Sequence, residues 1–322
     1  MKKFRKIAAV LAFALAPCVS VYSADAFPSR VITIVVPFPP GGPTDQSARL
    51  FGKALAARLG QSVIIDNRPG AGGTIGSASV ARAAADGYTL LLASTGTFGV
   101  APLVYSAPRY SPTTSFAPLG MIARSPLVFV GRPGMKGDSL KDLIAAAKVG
   151  KLSYGSAGNG SIIHLAAEWF NEEAGIDLLH VPYKGGAPAL ADLLGDRVDL
   201  TLETIPTVSP FLKSGRVKVL ATAGNARSPA LPGVPTVKEV IGGNYEAYSW
   251  VGLVAPANTP PATLKVLAEA MQGAANDPAT VAAIVATGLE PVKSSPALFK
   301  RDIEAELAKW GRLVKRTGLK ID

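Results

Sequence analysis

One cysteine, two histidines and 7% aromatic residues are all that this 322-residue chain has of the side chains on which thiol, metal and stacking chemistry rest. The single thiol, Cys18, has no partner for a disulfide and cannot build a cysteine metal site. It also lies in the leader, so a processed chain has no cysteine and thiol catalysis is excluded. Acidic residues are the scarcer charge, 23 against 33 basic, for a net of +10. A long hydrophobic run is missing too. The most apolar stretch, Ile7 to Leu15, is about half of the roughly 20 residues a membrane span needs.

That short run has a clear context. Lys2, Lys3, Arg5 and Lys6 precede it, and Ala24-Asp25-Ala26 follows with a small-x-small pattern. Basic region, apolar core and cleavage site together read as a secretory signal peptide over residues 1–26, which places the chain outside the cytoplasm. Leu15-Ala16-Pro17-Cys18 is a poor lipoprotein box, because Pro17 stands where a small residue is required. Without the leader, 29 basic and 22 acidic residues remain. The surplus favours an acidic small ligand. The basic residues are scattered without interleaved aromatics, which speaks against nucleic acid.

Roughly 300 residues follow the leader, enough for two lobes. Apolar strands alternate with helical patterns. Val31 to Val36 reads as a buried strand, and Asp45 to Leu59 as a helix with Asp45 as N-cap and Gly60 as terminator. A strand at Val63 to Asp66, a helix at Ile75 to Ala85 and a strand at Tyr88 to Ala93 complete a parallel α/β unit. The theme recurs with a strand at Leu127 to Val130 and a helix at Ser139 to Lys148, for which Asp142 offers a capping box. Leu152 to Gly155 is again a strand and Ser161 to Ala174 a helix. The alternation continues through Pro188–Leu194, Val198–Leu202, Val208–Lys213 and Val217–Thr222. After a strand at Trp250 to Val254, three helices are expected near 261–275, 278–286 and 296–316. Phe299, Ile303, Leu307 and Trp310 form one core stripe on the last. Which unit that tail packs on is not readable from its pattern.

Three strand-to-helix loops are candidates for chemistry. Pro37 to Asp45 (PFPPGGPTD) ends at a helix start, where unpaired N–H groups and partial positive charge attract anions. Gly41 and Gly42 leave the backbone open to a ligand, and four prolines stiffen the loop. Ser94-Thr95-Gly96-Thr97 follows the third strand at the same sheet edge. Taken alone it reads as a solvated turn. Gly155 to Ser161 (GSAGNGS) repeats the first arrangement in the second unit, so two helix starts are expected to face each other across a cleft.

Other patterns fail on inspection. Gly70 to Gly76 resembles a dinucleotide fingerprint, but Ile75 stands where its third glycine belongs. Gly155-Ser156-Ala157-Gly158 resembles a nucleophile elbow, but Tyr154 occupies the first glycine position. His164 and Glu168 are one turn apart, yet two ligands are too few for a metal and a structural role is expected. His180 is placed near a strand end. Glu203, at the end of Val198–Leu202, reads equally as a ligand partner and as a surface charge. Tyr248 and Trp250 either line the cleft or pack beneath it. No metal, cofactor or Ser/His/Asp arrangement emerges.

At these loops the chain resembles a known family. VVPFPPGGPTDQSAR (35–49), IIDNRPGAGGTIGSASVARAAADGYTLL (64–91), SYGSAGNGSIIHLAAE (153–168), HVPYKGGAPALADLLGDRVDL (180–200), LPGVPTVKE (231–239) and SWVGLVAPANTPP (249–261) are similar to the periplasmic solute receptors of tripartite tricarboxylate transporters, the Bug or TctC type. The resemblance implies an α/β type II periplasmic binding protein with two lobes, 27–124 plus 247–322 and 125–246, joined by two crossing segments and closing on a ligand between them. It implies a receptor and not an enzyme, acting as a monomer that hands a small carboxylate to membrane permease subunits. A ligand sensor is the alternative, and a secreted esterase a remoter one. Carried onto this chain, the pocket is Phe38, Gly41, Gly42, Thr44 and Asp45; Ser94, Thr95, Gly96 and Thr97; and Ser156, Gly158, Ser161 and His164. Many relatives have aspartate where this chain has Glu203, which alters the distal pocket.

Overall fold

The computed structural model describes residues 27–106 and 109–321. The leader, with Cys18 and its cleavage site, lies outside the described residues.

The first α/β unit comprises β1 (Ile32–Val36), α1 (Pro43–Leu59), β2 (Val63–Asn67), α2 (Thr74–Ala81) and β3 (Thr89–Ser94), then a π-helical stretch at Thr95–Val100 and the short α3 (Ala101–Val104). β4 (Phe116–Gly131) leads to the second unit: α4 (Leu140–Val149), β5 (Ser153–Ser156), α5 (Ile162–Ala174), β6 (Leu179–Pro182), α6 (Gly186–Leu194), β7 (Leu200–Thr204), α7 (Ile205–Lys213), β8 (Lys218–Thr222) and α8 (Val237–Ile241). β9 (Tyr248–Pro256) returns, followed by α9 (Pro261–Asn276), α10 (Pro278–Ala286), β10 (Glu290–Pro291) and α11 (Pro296–Thr317). Among the described residues no helix is long and apolar enough to cross a membrane.

The strands form one curled sheet in the order β2-β1-β3-β9-β4-β7-β5-β6, with β8 and β10 also paired to β4. β1 runs parallel to β2 and β3, and β5 parallel to β6 and β7. The long β4 joins the two parallel sets. Its first part, Phe116 to Pro126, pairs antiparallel with β9, and its last part, Leu127 to Gly131, pairs with β7 and β8. Only the last part is an unbroken apolar run. Pro118, Gly120 and Pro126 disguise the rest, and the ladder takes up the irregularity in register shifts at Pro118/Gly120 and Met121/Ala123.

Local chemistry explains most element ends. Pro43 opens α1 behind Gly42 as N-cap, where a missing N–H costs nothing, and Gly60 closes it at φ 65°. The expected cap, Asp45, sits instead inside the first turn and reaches back to the Gly41 N–H. The capping box at Ser139 and Asp142 forms as the spacing predicts. α2 stops at Ala81, short of Ala85, where Arg82 leaves helical geometry and the Ala83 N–H closes a turn on the Val80 carbonyl at 3.0 Å.

The tail packs on both units. Phe299 and Ile303 join the core of Trp250, Phe98 and Val254, while Trp310 and Leu313 join that of Phe129, Leu165 and Phe170. Leu307 is only partly buried against the first of these. The fully buried Trp310 meets Trp169 edge-on with centroids 6.1 Å apart, and its indole N–H donates to Glu306 at 2.7 Å. We expect Trp310→Ala to cost about 3–5 kcal/mol. The check is a lowered urea midpoint at unchanged slope.

Candidate functional site

The carboxyl ends of β1, β3 and β5 converge on a cavity of about 340 Å³ between the two units. Of the residues expected from the sequence, Phe38, Thr44, Ser94, Gly96 and Ser161 line it. They come from the starts of α1 and α5 and from the π-helical stretch, so the three loops do meet. Gly72, Ala101, Tyr105, Ala157, Asn159, Gly160, Ile162, Ser249, Val251 and Ile321 complete the wall. No lining side chain is charged at neutral pH. Hydroxyls, one amide and backbone N–H groups are the polar contacts on offer.

The other expected residues do not border it. Asp45 is buried, 2% exposed, and accepts from the Gly41 N–H at 2.9 Å, Arg49 Nε at 2.9 Å and Asn67 Nδ2 at 3.0 Å. Burial alone would raise its pKa, but Arg49 and these hydrogen bonds outweigh it and hold the carboxyl below the usual range. Asn67 also donates to the Phe38 carbonyl at 3.0 Å. This pair therefore sets the loop that presents Phe38 and Thr44. Gly41, at φ 86°, supplies the left-handed turn there, and Gly42 the cap. Neither borders the cavity.

Ser94 to Thr97 is not a solvated turn. Ser94 and Thr97 form a buried capping box, with Ser94 Oγ accepting from the Thr97 N–H and Thr97 Oγ1 from the Ser94 N–H. Thr95 points the other way. Its hydroxyl accepts from the Trp250 N–H at 2.9 Å and donates to the Tyr248 carbonyl at 3.2 Å, stitching this segment to β9. Strand alternation then decides β9: Ser249 and Val251 face the cavity, while Trp250 turns away to pack on Phe299. Tyr248 also faces away, under the Arg124 guanidinium at 4.2 Å.

Behind the third loop, Ser156 is fully buried, its Oγ 2.6 Å from His180 Nε2 and accepting from the Gly158 N–H at 3.1 Å. A serine–imidazole contact is what an esterase needs, but no carbonyl carbon can approach this hydroxyl. Gly158 holds φ 116°, where a Cβ would lie 2.9 Å from the Tyr183 carbonyl oxygen. His164 Nδ1 accepts from the Gly160 N–H at 3.1 Å. Glu168, its candidate metal partner, instead accepts from the Tyr154 hydroxyl at 2.6 Å. Among the described residues no group of three potential ligands forms a metal site.

Glu203 is neither a cleft wall nor a surface charge. It is 6% exposed, with Oε1 unpartnered and turned to Gly186, whose added Cβ would stand 2.7 Å from it. Burial pushes its pKa up to about 7, against the Thr204 backbone bond that lowers it. Tyr105 and Ile321 were not legible as wall residues. They become so because the tail bridges to Tyr105 and bonds to the Val104 carbonyl at 2.7 Å.

The model of the tripartite tricarboxylate transporter family receptor matches residues 47–319. The chain is 38% identical over 302 residues to protein BugT of Bordetella pertussis, covering 93% of each. Among solved structures it is similar to Rpa4515 of R. palustris with adipate, at TM-score 0.83 and 36% identity over 91% of this chain and 99% of that one. MatC of Rhodopseudomonas palustris with bound malate gives TM-score 0.78 and 31% identity over 89% of this chain and 100% of that one.

The Asp45 network has a pH signature. A depressed carboxyl stabilises the fold fully above its unfolded pKa of about 3.9 and loses that contribution as pH falls through the folded value. Asp45→Asn should cost about 1–3 kcal/mol at neutral pH and flatten the acid limb. Urea unfolding of both proteins at neutral and strongly acid pH tests this.

Proposed function

Because this chain belongs to the family of tripartite tricarboxylate transporter receptors, we propose that it is a periplasmic receptor that captures one small organic carboxylate in the 340 Å³ cavity and delivers it to membrane permease subunits. The observation that carries this reading is the uncharged, donor-bearing wall between two helix starts. A carboxylate there meets the first turn of α5 and the hydroxyls of Thr44, Ser94, Ser161 and Ser249. A helix terminus contributes roughly 0.3–2 kcal/mol to an anion, and each net hydrogen bond about 0.5–1.5 kcal/mol. Four or five such bonds plus apolar burial against Phe38 and Val251 reach the roughly 8 kcal/mol of micromolar binding. Adipate and malate in similar proteins support the ligand class.

The receptor works as a monomer with two lobes, 27–124 plus 247–322 and 125–246, that rock about β4 and β9. Wall residues drawn from both ranges support this, as closure then tightens one cavity. α11 follows neither lobe alone, since its last turns pack on the second. Family membership, the buried Ser156 and the uncharged wall all favour capture over turnover.

Gly96 offers the sharpest test. It lines the cavity, its backbone φ suits any residue, and an added Cβ meets nothing closer than Ser94 Oγ at 3.7 Å. Gly96→Ala should keep the melting temperature of the ligand-free protein. It should weaken carboxylate binding about tenfold or more, the loss of roughly 1.4 kcal/mol. Titration calorimetry against malate, adipate and other mono-, di- and tricarboxylates measures this. Unchanged affinity in the variant, or no carboxylate bound by ligand-free wild type, overturns the reading.

A further inference from the structure

The chain has two histidines, and the fold stacks them on each other directly behind the third loop. The rings of His164 on α5 and His180 on β6 lie 4.0 Å apart at 8°, with Tyr154 of β5 stacked on the outer face of His180 at 4.9 Å and 18°. Neither imidazole borders the cavity. Each instead holds a backbone group of the loop that does. His164 Nδ1 accepts the Gly160 N–H, and His180 Nε2 meets the Ser156 hydroxyl that in turn accepts the Gly158 N–H.

Hydrogen-bond inventory fixes the charge state. A backbone N–H only donates, so Nδ1 of His164 must carry a lone pair and its proton sits on Nε2. A second charge 4.0 Å away on His180 is disfavoured; His164 is buried and His180 half-buried. Burial lowers the pKa of His164, and burial followed by His164 lowers that of His180 to about 4, partly offset by Glu168.

The surrounding ionisable groups are otherwise engaged. On α5, Glu168 accepts from the Tyr154 hydroxyl and Glu172 pairs with Arg316 of α11. Toward α6, Tyr183 donates to Asp192 at 2.7 Å, and on β7 Glu203 is turned to Gly186. Of these, only Glu168 acts to favour a charge on His180.

We propose that His164 and His180 are positioning residues for the binding loop 156–161, an uncharged imidazole pair that fixes Gly158 and Gly160 and releases the Gly160 N–H when His164 takes a proton. The inference rests on the cavity being the ligand site and makes capture acid-sensitive. A proton on His164 Nδ1 replaces an acceptor with a donor facing the Gly160 N–H, so the wall of the cavity at Asn159–Ser161 loses its support. The sign follows from the lowered pKa values. The latch is intact at and above the ordinary imidazole pKa of about 6.5 and opens only below it.

The test separates the latch from the ligand. On ligand-free protein, side-chain nitrogen NMR reads both tautomers, and hydrogen exchange reads the Gly160 amide, from about pH 7.5 down to pH 4.5. Expected are a neutral His164 with the proton on Nε2 and a Gly160 amide whose protection falls as His164 protonates. Asparagine places an oxygen where Nδ1 sits but does not titrate. His164→Asn should therefore keep both Gly160 protection and malate affinity near neutral pH, and lose the acid-dependent drop relative to wild type. His164→Leu should lose about tenfold in malate affinity near neutral pH, the effect of one net hydrogen bond, and converge on wild type as pH falls. Comparing variants at each pH cancels the ionisation of malate itself. The latch is overturned by Gly160 exchange that ignores both pH and His164→Leu, or by a His164→Asn protein with the acid dependence of wild type. If His164→Leu does not fold, the tautomer, the exchange profile and His164→Asn still decide. If malate and every other carboxylate fail to bind, the receptor reading falls while the Gly160 readout still judges the latch.

Discussion

The antiparallel threading of β9 between β3 and β4 is the constraint on which the rest of the molecule depends. With β4 it joins the two parallel strand sets into one sheet. The register Ser94 to Val251 places two wall residues side by side. The Thr95 hydroxyl, bonded to both Tyr248 and Trp250, locks that register beyond the end of the ladder. Close packing enforces it from below. At Gly252 an added Cβ would stand 2.4 Å from the Phe299 ring and 2.7 Å from the Gly120 carbonyl oxygen. A glycine there is what lets Phe299 of α11 pack directly against β9.

From this frame the cavity inherits its character. Its wall is uncharged, so under the proposed function selectivity for an anion comes from oriented dipoles and not from a cation. Dipoles are effective only if they are held, because a donor that must reorient gives back in entropy what it gains in contact. Each loop accordingly has its own buried polar brace: Asp45 with Asn67 behind the first, the Ser94–Thr97 box within the second, and Ser156 with the two histidines behind the third. Burying such groups without partners is costly, so a satisfied network also specifies a single loop conformation.

Much of this was legible in the sequence, and what was not has identifiable physical causes. The helix starts at Pro261, Pro278 and Pro296 and stripes such as Phe299/Ile303/Trp310 announce themselves because local rules dominate there. The first two-thirds of β4 does not, since Pro118, Gly120 and Pro126 break the pattern that the sheet tolerates through register shifts. The glycine-rich loops were recognisable as a set, but glycine content marks a loop and not which of its residues face inward. Hence Gly41, Gly42, Ser156 and Gly158 belong to the brace, and Gly160 and Asn159 to the wall. Trp250 drew attention by size, yet strand parity assigned the cavity to Ser249 and Val251. Ile321 depends on where a tail lands, which no local pattern carries.

The buried ionisable groups of the second unit act on stability in opposite directions. Glu203 is ionised in the unfolded chain above about pH 4.5 and held largely protonated in the fold up to about pH 7. Its contribution therefore declines as pH rises through that window. His180 is protonated in the unfolded chain below 6.5 and neutral in the fold down to about 4, so its contribution declines as pH falls. Between about pH 4.5 and 6.5 the folded chain keeps a proton on the acid and refuses one on the base. The two slopes oppose each other, and His164, whose pKa burial also lowers, adds to the second. Under the latch proposal the acid response is confined to the binding loop. The change is then carried by a local equilibrium at Gly160, while the β4–β9 ladder stays intact.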